Sequence, residues 1–490
     1  MKDEPEKKQQ KKVPISLYLL SLIVVALLSI GGTIWLSSNG KAKVDEAAIQ
    51  QENATSQTEN DEFAKLESVY QTILSRYYQK VDGDQLIEGA LSGMTKALGD
   101  PYTDYMNVSE TSDLNESINA SFEGIGAEVM KQGDFVQIVS PIAGSPAEKA
   151  GLQPNDIILK VDDTELTGMT LNEAVSHIRG EKGTSVTLTI QRNDKTFEVK
   201  VVRDTIPIET VNGTLDKKDA TIGHITITNF SDPTYDELVQ TVTDLRSQGA
   251  KAFIFDVRSN PGGLLQTALM ISNMFLEDGD TIVQTQEKGE KPVATLADDE
   301  TYGDFKITEP SVLLVNEGSA SASEILAGAL KESAGIPIIG TKTFGKGTVQ
   351  SVLSFEDESE LKLTIGKWLT PKGEWINEKG VEPDQTVKLP DYAELMVINP
   401  AETYQKGDLS DEVKNLESVM KALGYTTTAD GSYDGETVAA VKQFQSDHKL
   451  KEDGIVTGET ASALVNDLRK KIEENDTQYE AAMLYLQEHQ

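Results

Sequence analysis

The chain has 490 residues, 38% of them hydrophobic, with Lys+Arg 45 against Asp+Glu 80 and a formal net charge of −35. That length accommodates several domains and a sizeable core, and so acidic a surface repels nucleic acid, for which no basic patch with interleaved aromatics is present. The absence of cysteine excludes thiolate catalysis, disulfides and Cys-based metal sites. The histidines, His177, His224, His448 and His489, form no His-Glu-x-x-His pattern, so neither a zinc protease nor any other cofactor is expected.

Residues 1–12 read as a cytoplasmic tail carrying Lys2, Lys7, Lys8, Lys11 and Lys12. Val13–Leu36 is apolar, and its 24 residues can span a bilayer core of ~30 Å at ~1.5 Å per residue. The positive-inside rule places everything after Leu36 outside the cytoplasm. The alternative is a cleaved signal peptide. The run is long for that, and Ser37–Lys41 offers no clear small-x-small cleavage site, so an uncleaved transmembrane anchor is expected. Residues 37–62 are polar and read as a flexible stalk.

Residues 63–117 form an expected helical segment. Phe63, Leu66, Val69, Tyr70, Ile73, Leu74 and Tyr77 fall at helical spacing. A second helix over about 85–98 stops at Gly99, with Pro101 beyond. Residues 118–205 read as short strands at about 135–139, 156–161, 185–192 and 196–202, with a helix at about 170–179.

Within that segment, Ser145-Pro-Ala-Glu-Lys-Ala-Gly-Leu-Gln-Pro-Asn-Asp-Ile-Ile-Leu-Lys-Val-Asp162 resembles the signature of PDZ domains. The matching carboxylate-binding loop is Gly124-Ile125-Gly126, preceded by Phe122. Glycines there let backbone N–H groups converge on an anion, and a strand beside the loop can pair with an extended peptide. Alone, Gly-Ile-Gly is more often a plain turn. His177 on the helix reads as surface or packing. Arg179 resembles an arginine that couples the PDZ domain to a protease, and equally suits a solvated helix-end cation.

Residues 206–395 alternate strand and helix: strands at about 223–228, 252–257 and 311–315, helices at 235–248 and 264–276, then a β region over 353–370. This indicates an α/β core with parallel pairings. The last strand leads into Gly318-Ser-Ala-Ser-Ala-Ser-Glu324, and Phe344-Gly-Lys-Gly-Thr-Val-Gln350 follows. A serine at a helix start, a lysine and a glutamine, with no histidine nearby, suit a hydrolase whose base is lysine. Spacing alone leaves Ser319, Ser321 and Ser323 open. Ser321-Ala-Ser-Glu324 also reads as a capping box.

These stretches, with Asp256-Val-Arg-Ser-Asn-Pro-Gly-Gly263, Thr370-Pro-x-Gly373 and Gly380-Val-x-Pro-Asp384, resemble the carboxyl-terminal processing peptidases, which include the tail-specific proteases, over roughly residues 63–390. The resemblance implies Ser321 as nucleophile, Lys346 as general base and Gln350 as the group orienting the lysine. The N–H of Ala322, with that of Gly262 or Gly263, is the expected oxyanion hole. Asp256 and Arg258 are expected to hold the loop, and His224 to serve in the core or at an edge.

Residues 405–468 closely resemble the three-helix peptidoglycan-binding domain, with Asp430-Gly-Ser-Tyr-Asp434 and Asp453-Gly454 as its turns. Residues 469–490 read as a charged, helical tail without a role. The expected fold is thus multidomain α+β: a transmembrane helix, a helical segment, a PDZ domain, an α/β serine protease core and a small all-α peptidoglycan-binding domain. The implied function is a membrane-anchored, extracytoplasmic serine endopeptidase that takes the free C-terminus of an unfolded or processed protein and cuts near it, in a form that a homodimer would suit. The alternatives are a wall-bound peptide-binding scaffold with an inactive core, and a Ser-His-Asp hydrolase built on His224.

Overall fold

The computed structural model describes residues 63–489, and the expected membrane segment, stalk and cytoplasmic tail lie outside them. Among the described residues no helix is long and apolar enough to cross a membrane. The N-terminal compact unit ends at Leu91. It contains a helix at 63–76 and the start of the helix Gly83–Lys96, which carries Asp84 in its first turn and Lys96 in its last, both suited to the helix dipole.

The second unit starts at Ser92. The segment expected to be helical throughout also supplies a strand, Asp104–Met106, which pairs antiparallel with Glu360–Leu369. Three residues are too few to show a period in sequence, so this strand is defined by its distant partner. The helix Val108–Asn119 follows, closed by a capping box between Asn107 and Glu110.

The PDZ-like unit is an antiparallel sheet of Ala127–Gln132, Phe135–Pro141, Ile157–Val161, Ser185–Arg192 and Lys195–Val202, in that order. Alternate residues of these strands, among them Val136, Ile138, Val186, Leu188 and Ile190, point into a fully buried core. The helix Leu171–Ile178 packs Ala174 and Ile178 against it and starts with a Thr170–Glu173 capping box. Chain entry and exit are tied together by the ribbon of Ser121–Gly124 with Asp204–Pro207.

The protease-like core is built on a six-stranded sheet ordered Val211–Leu215, Ile222–Ile227, Ala252–Asp256, Ser311–Val315, Ile338–Gly340 and Gln385–Thr386. Only the first pairing is antiparallel. Parallel strands must be covered on both faces. Ile225, Phe253, Phe255, Leu313 and Val315 face the cluster that holds Leu238 and Val242 of the helix Thr234–Ser247 and Ile325 and Leu326 of the helix Ala322–Ala329. The alternate residues Ile222, Ala252, Ile254, Val312, Leu314 and Ile339 face Ala482, Met483 and Leu486.

Those last three belong to the helix Thr477–His489. The residues expected to be a charged tail are therefore the second cover of the central sheet. Their apolar stripe is narrow and flanked by charge, and it acquires meaning only from the sheet beneath it. The second sheet is antiparallel and combines Asp104–Met106, Thr281–Glu287, Val293–Leu296, Thr348–Ser354 and Glu360–Leu369.

The C-terminal three-helix unit packs Asp411–Ala422, Gly435–Asp447 and Gly458–Glu474 around Val413, Leu416, Met420, Val441, Phe444 and Leu464. Ser410 and Asp434 cap the first two helices by accepting backbone N–H bonds. Glu417, fully buried, accepts from Gly431 N at 2.9 Å and Thr437 Oγ1 at 2.8 Å, so its charge is met by donors.

Candidate active site

The strand Ser311–Val315 runs into a turn held by side-chain hydrogen bonds. Asn316 Oδ1 accepts from Gly318 N at 3.0 Å and Ser259 N at 2.7 Å. Ser319 Oγ donates to the Val257 carbonyl at 2.7 Å, and Ser323 Oγ to that of Asn260 at 2.9 Å. Both serines are fully buried. Ser321 alone of the three lines a cavity, of about 340 Å³. Burial thus separates the three: two serines hold the turn and one faces open space.

Ser321 has φ 54° and ψ −112° and sits at the N-cap of Ala322–Ala329. A non-glycine residue there costs on the order of 1–3 kcal/mol and persists only where neighbours over-determine it. The neighbours are on both sides: Ala320 N donates to the Asn260 carbonyl at 3.0 Å, and Ser321 N to Glu324 Oε2 at 2.9 Å. The helix that follows directs its positive end at the same place.

Lys346 enters from a segment held by Glu324. That fully buried carboxylate accepts from Thr343 Oγ1 (2.6 Å) and Gly345 N (2.7 Å) on Oε1, and from Lys346 N (2.8 Å) on Oε2. On the other side Trp368 Nε1 donates to the Lys346 carbonyl at 2.9 Å and Trp375 Nε1 to that of Gly347 at 2.8 Å. The glycines flanking the lysine are required by close approach. A Cβ on Gly345 would lie 2.9 Å from Gly380 N, and one on Gly347 2.8 Å from Asn377 N. Burial lowers the Lys346 amine below the ordinary lysine value, and Lys362 lowers it further, against opposing pulls from Glu324 and Asp100.

Gln350 lines the same cavity as Ser321 and Lys346. Its amide nitrogen donates to Thr348 Oγ1 at 2.9 Å and Thr364 Oγ1 at 3.1 Å, so the hydrogen bonds it makes are to hydroxyls and not to the lysine.

Of the expected oxyanion donors, Ala322 and Gly263 line the cavity. The Gly262 N–H is taken by Asn260 Oδ1 at 2.9 Å. Gly262 has a spatial role instead: with φ 104°, a Cβ there would stand 2.8 Å from Ser321 Cβ and 2.9 Å from Ala322 N. Gly263 packs as closely, its would-be Cβ 2.2 Å from the Phe230 carbonyl oxygen.

Asp256 and Arg258 hold this loop from behind. Arg258 Nη2 reaches Asp256 Oδ2 at 2.6 Å, and Nη1 reaches Asp476 Oδ1 at 2.9 Å and Gln478 Oε1 at 3.0 Å. Burial pushes the Asp256 carboxyl up, but the bonds from His224 and Arg258 prevail and bring it down to about 2. His224 Nε2 donates to Asp256 Oδ2 at 3.2 Å and packs on the Tyr479 ring at 4.8 Å, within this structural cluster.

In the PDZ-like unit, Phe122 and Gly124 lie in the ribbon strand and Ile125 and Gly126 in the loop after it. The Ile125 carbonyl accepts from Ala147 N at 2.7 Å. The Gly126 carbonyl accepts from Ile142 N at 2.9 Å and from Ser145 Oγ at 2.8 Å. The strand that follows, Ala127–Gln132, is the edge of its sheet, open to an added strand. Arg179 stacks on the Phe122 ring at 4.9 Å and pairs with Glu116 at 2.8 Å. Glu116 belongs to Val108–Asn119, whose Ser117 and Ile118 carbonyls accept from Ser231 Oγ (2.7 Å) and Asp232 N (2.9 Å), beside the Phe230 N that donates to Gly262 at 2.9 Å. His177 is exposed.

Glu324, Trp368, Trp375 and Asn316 were not singled out by sequence as site residues. Only Glu324 left a signal, as the third residue of a capping box, and that signal pointed to helix capping alone.

Comparison with known proteins adds four family matches: peptidase family S41 over residues 221–387, the activating protease CtpB N-terminal domain over 22–111, a PDZ domain over 137–192 and a putative peptidoglycan binding domain over 410–464. The chain is 44% identical to the carboxy-terminal processing protease CtpA of Bacillus subtilis (strain 168), across 94% of this chain and 96% of that protein. It is 37% identical to a probable CtpA-like serine protease of Staphylococcus epidermidis, across 96% and 94%. Among solved structures, the photosystem II D1 C-terminal processing protease is 30% identical, covering 66% of this chain and 87% of its own, with a TM-score of 0.39.

Proposed function

The chain belongs to peptidase family S41, as a carboxy-terminal processing protease with PDZ and peptidoglycan-binding domains, and from that premise we propose that it is a serine endopeptidase acting through Ser321 and Lys346. The observation that carries the reading is that a strained serine and a half-buried lysine line one cavity while a single carboxylate grips both backbones.

The chemistry follows from the groups. A neutral Lys346 amine takes the proton from Ser321 Oγ as the oxygen attacks the scissile carbonyl. The carbonyl oxygen becomes an oxyanion facing the Ala322 N–H, at the positive end of its helix, and the Gly263 N–H. The ammonium then gives its proton to the leaving amine. Water, deprotonated by the same lysine, releases the acyl group. Gln350 orders the wall of the site through Thr348 and Thr364 and carries no charge that would raise the lysine.

The PDZ-like unit takes a substrate C-terminus at the Gly124–Gly126 loop and adds it as a strand to Ala127–Gln132. The contacts from Arg179 through Glu116 to the Phe230 segment support a coupling of that event to the active site. The C-terminal unit holds the enzyme at peptidoglycan, and the 13–36 segment anchors it in the membrane with the catalytic part outside. Recovery of the N-terminal peptide with membranes supports the anchor; a mature chain beginning near residue 40 overturns it. A triad on His224 is disfavoured by its partners, Asp256 and Tyr479, which engage the ring behind the loop.

The test is cleavage of a loosely folded protein with an apolar C-terminus by the full chain, by Ser321→Ala and by Lys346→Ala. Loss in both variants with unchanged circular dichroism supports the dyad; equal cleavage by all three puts the chemistry elsewhere, and no cleavage by any of them assigns the chain to the scaffold class.

A further inference from the structure

Pinning the main chain of Lys346 does not place its amine. Lysine carries its charge on a flexible four-carbon stem, and Glu324 and Trp368 hold only the backbone. Gln350, the expected orienting group, bonds to Thr348 and Thr364. The side chain found against the amine is Tyr102: the Lys346 Nζ stands 5.0 Å from the centre of its ring.

Tyr102 is delivered from far upstream by a turn built for rigidity. Asp100 Oδ1 accepts from Tyr102 N at 3.0 Å, and Oδ2 from Thr103 Oγ1 at 2.6 Å. Thr103 Oγ1 in turn accepts from Thr364 N at 3.0 Å, on the strand whose Thr364 hydroxyl receives Gln350. Directly after the turn, Asp104 pairs with Lys362 on that strand. The turn therefore cannot move without the wall of the active site. Tyr102 is not among the residues that line the cavity holding Ser321 and Lys346, so its ring meets the amine from outside that lining.

We propose that Tyr102 is a positioning residue for the general base, its ring seating the Lys346 amine and closing the rear of the site to water. The inference rests on the lysine-base reading above. The groups facing Lys346 are Lys362, Glu324 and Asp100, and those acting on Tyr102 are Glu324, Asp100 and Glu378. The ring has two opposed effects on the amine. Its face attracts an ammonium, which favours the protonated amine. Its bulk excludes water, and burial is the foremost cause of the lowered lysine. Exclusion of water prevails, so removing the ring lets the amine hold its proton to higher pH.

The experiment is the pH profile of kcat/KM for the full chain carrying Tyr102→Ala, Tyr102→Leu or Tyr102→Phe, with thermal unfolding of each. The expected result is an acid limb moved upward by about one unit in Tyr102→Ala, a roughly ten-fold lower kcat at neutral pH with KM little changed, and restoration by Tyr102→Phe. Tyr102→Leu, which keeps apolar bulk, lies between and serves if the alanine variant does not fold. An unmoved acid limb in the folded alanine or leucine variant overturns the inference, as does a phenylalanine variant as impaired as alanine, which would assign the work to the hydroxyl. If Lys346→Ala retains activity, the failure belongs to the lysine-base reading; if it is inactive and the limb is unmoved, only the role of Tyr102 falls.

Discussion

The Glu324 carboxylate accepts the backbone N–H of Lys346 at 2.8 Å, and the same oxygen accepts that of Ser321 at 2.9 Å. Two segments remote in sequence are thereby fastened to one atom. Burial pushes this carboxyl up, while bonds from Thr343, Lys346, Gly345 and Ser321 pull it down. In Glu324→Gln the amide NH2 would face N–H donors and one side of the clamp would open. Hydrogen bonds to a charged group are worth about 1.5–3 kcal/mol, so kcat is expected to fall about 10- to 100-fold with KM nearly unchanged. Steady-state kinetics on the folded variant checks this, and an unaltered kcat would remove Glu324 from the account.

Gly262 and Gly263 are predicted to fail differently when substituted. In Gly262→Ala the new Cβ presses on Ser321 Cβ and Ala322 N, displacing the proposed nucleophile and oxyanion donor together. Loss of one such donor costs about 10²–10³ in rate, and a loss of at least that size is expected, with a modest drop in Tm. In Gly263→Ala the clash is with the Phe230 carbonyl, at the isolated β-bridge that Phe230 makes with Gly263, so stability is expected to fall first. Parallel kinetics and thermal melts separate the two cases.

Removing residues 476–490 is predicted to destabilise the protease core. The cut uncovers Ile222, Ile254, Val312, Leu314 and Ile339 and takes Asp476 from Arg258. Each large apolar side chain exposed costs about 1.5–3 kcal/mol, so the loss is several kcal/mol and is visible in urea unfolding. A truncated chain as stable as the full one would show that the last helix is not structural.

Asp256 carries a pH prediction. Its folded carboxyl lies at about 2, below the unfolded value of ~3.9. A depressed carboxylate adds stability that is present in full above the unfolded value and is lost as pH falls from about 4 toward 2, an effect of about 2 kcal/mol. Asp256→Asn should lower stability at neutral pH and flatten that acid decline. Chemical denaturation across pH 2–7 reads both.

Lys362 is predicted to tune the proposed base. It shares the cavity with Lys346 and lowers it by like charge. In Lys362→Gln the amine should hold its proton to higher pH, moving the acid limb of kcat/KM upward by a few tenths of a unit. A downward or absent shift would mean that salt and solvent screen the pair.

The strands of the PDZ-like unit at 185–192 and 311–315 in the core were legible because alternating or unbroken apolar runs meet turn residues at both ends. The helix Val108–Asn119 fell within a segment expected to be helical but shows no clear apolar period of its own, since it carries only Val108, Leu114 and Ile118 among polar residues and its support comes from caps and from Ser231 and Asp232. Ser321 and Lys346 were legible by motif, while the bonds of Gln350 and the occupied N–H of Gly262 were not. Both of those depend on which partner the fold brings within 3 Å.

Local chemistry was therefore written into the chain by itself: glycines where backbones meet, a serine before a helix, a lysine between glycines, apolar periods that specify strands and helices. Tertiary structure decided the rest. It set one serine of three apart by burying the other two, placed the Tyr102 ring against the amine of a lysine far downstream, and turned a charged C-terminal stretch into the cover of the central sheet. The reason is that burial, amine desolvation and hydrogen-bond partnership are properties of neighbours in space, and sequence spacing records neighbours only along the chain.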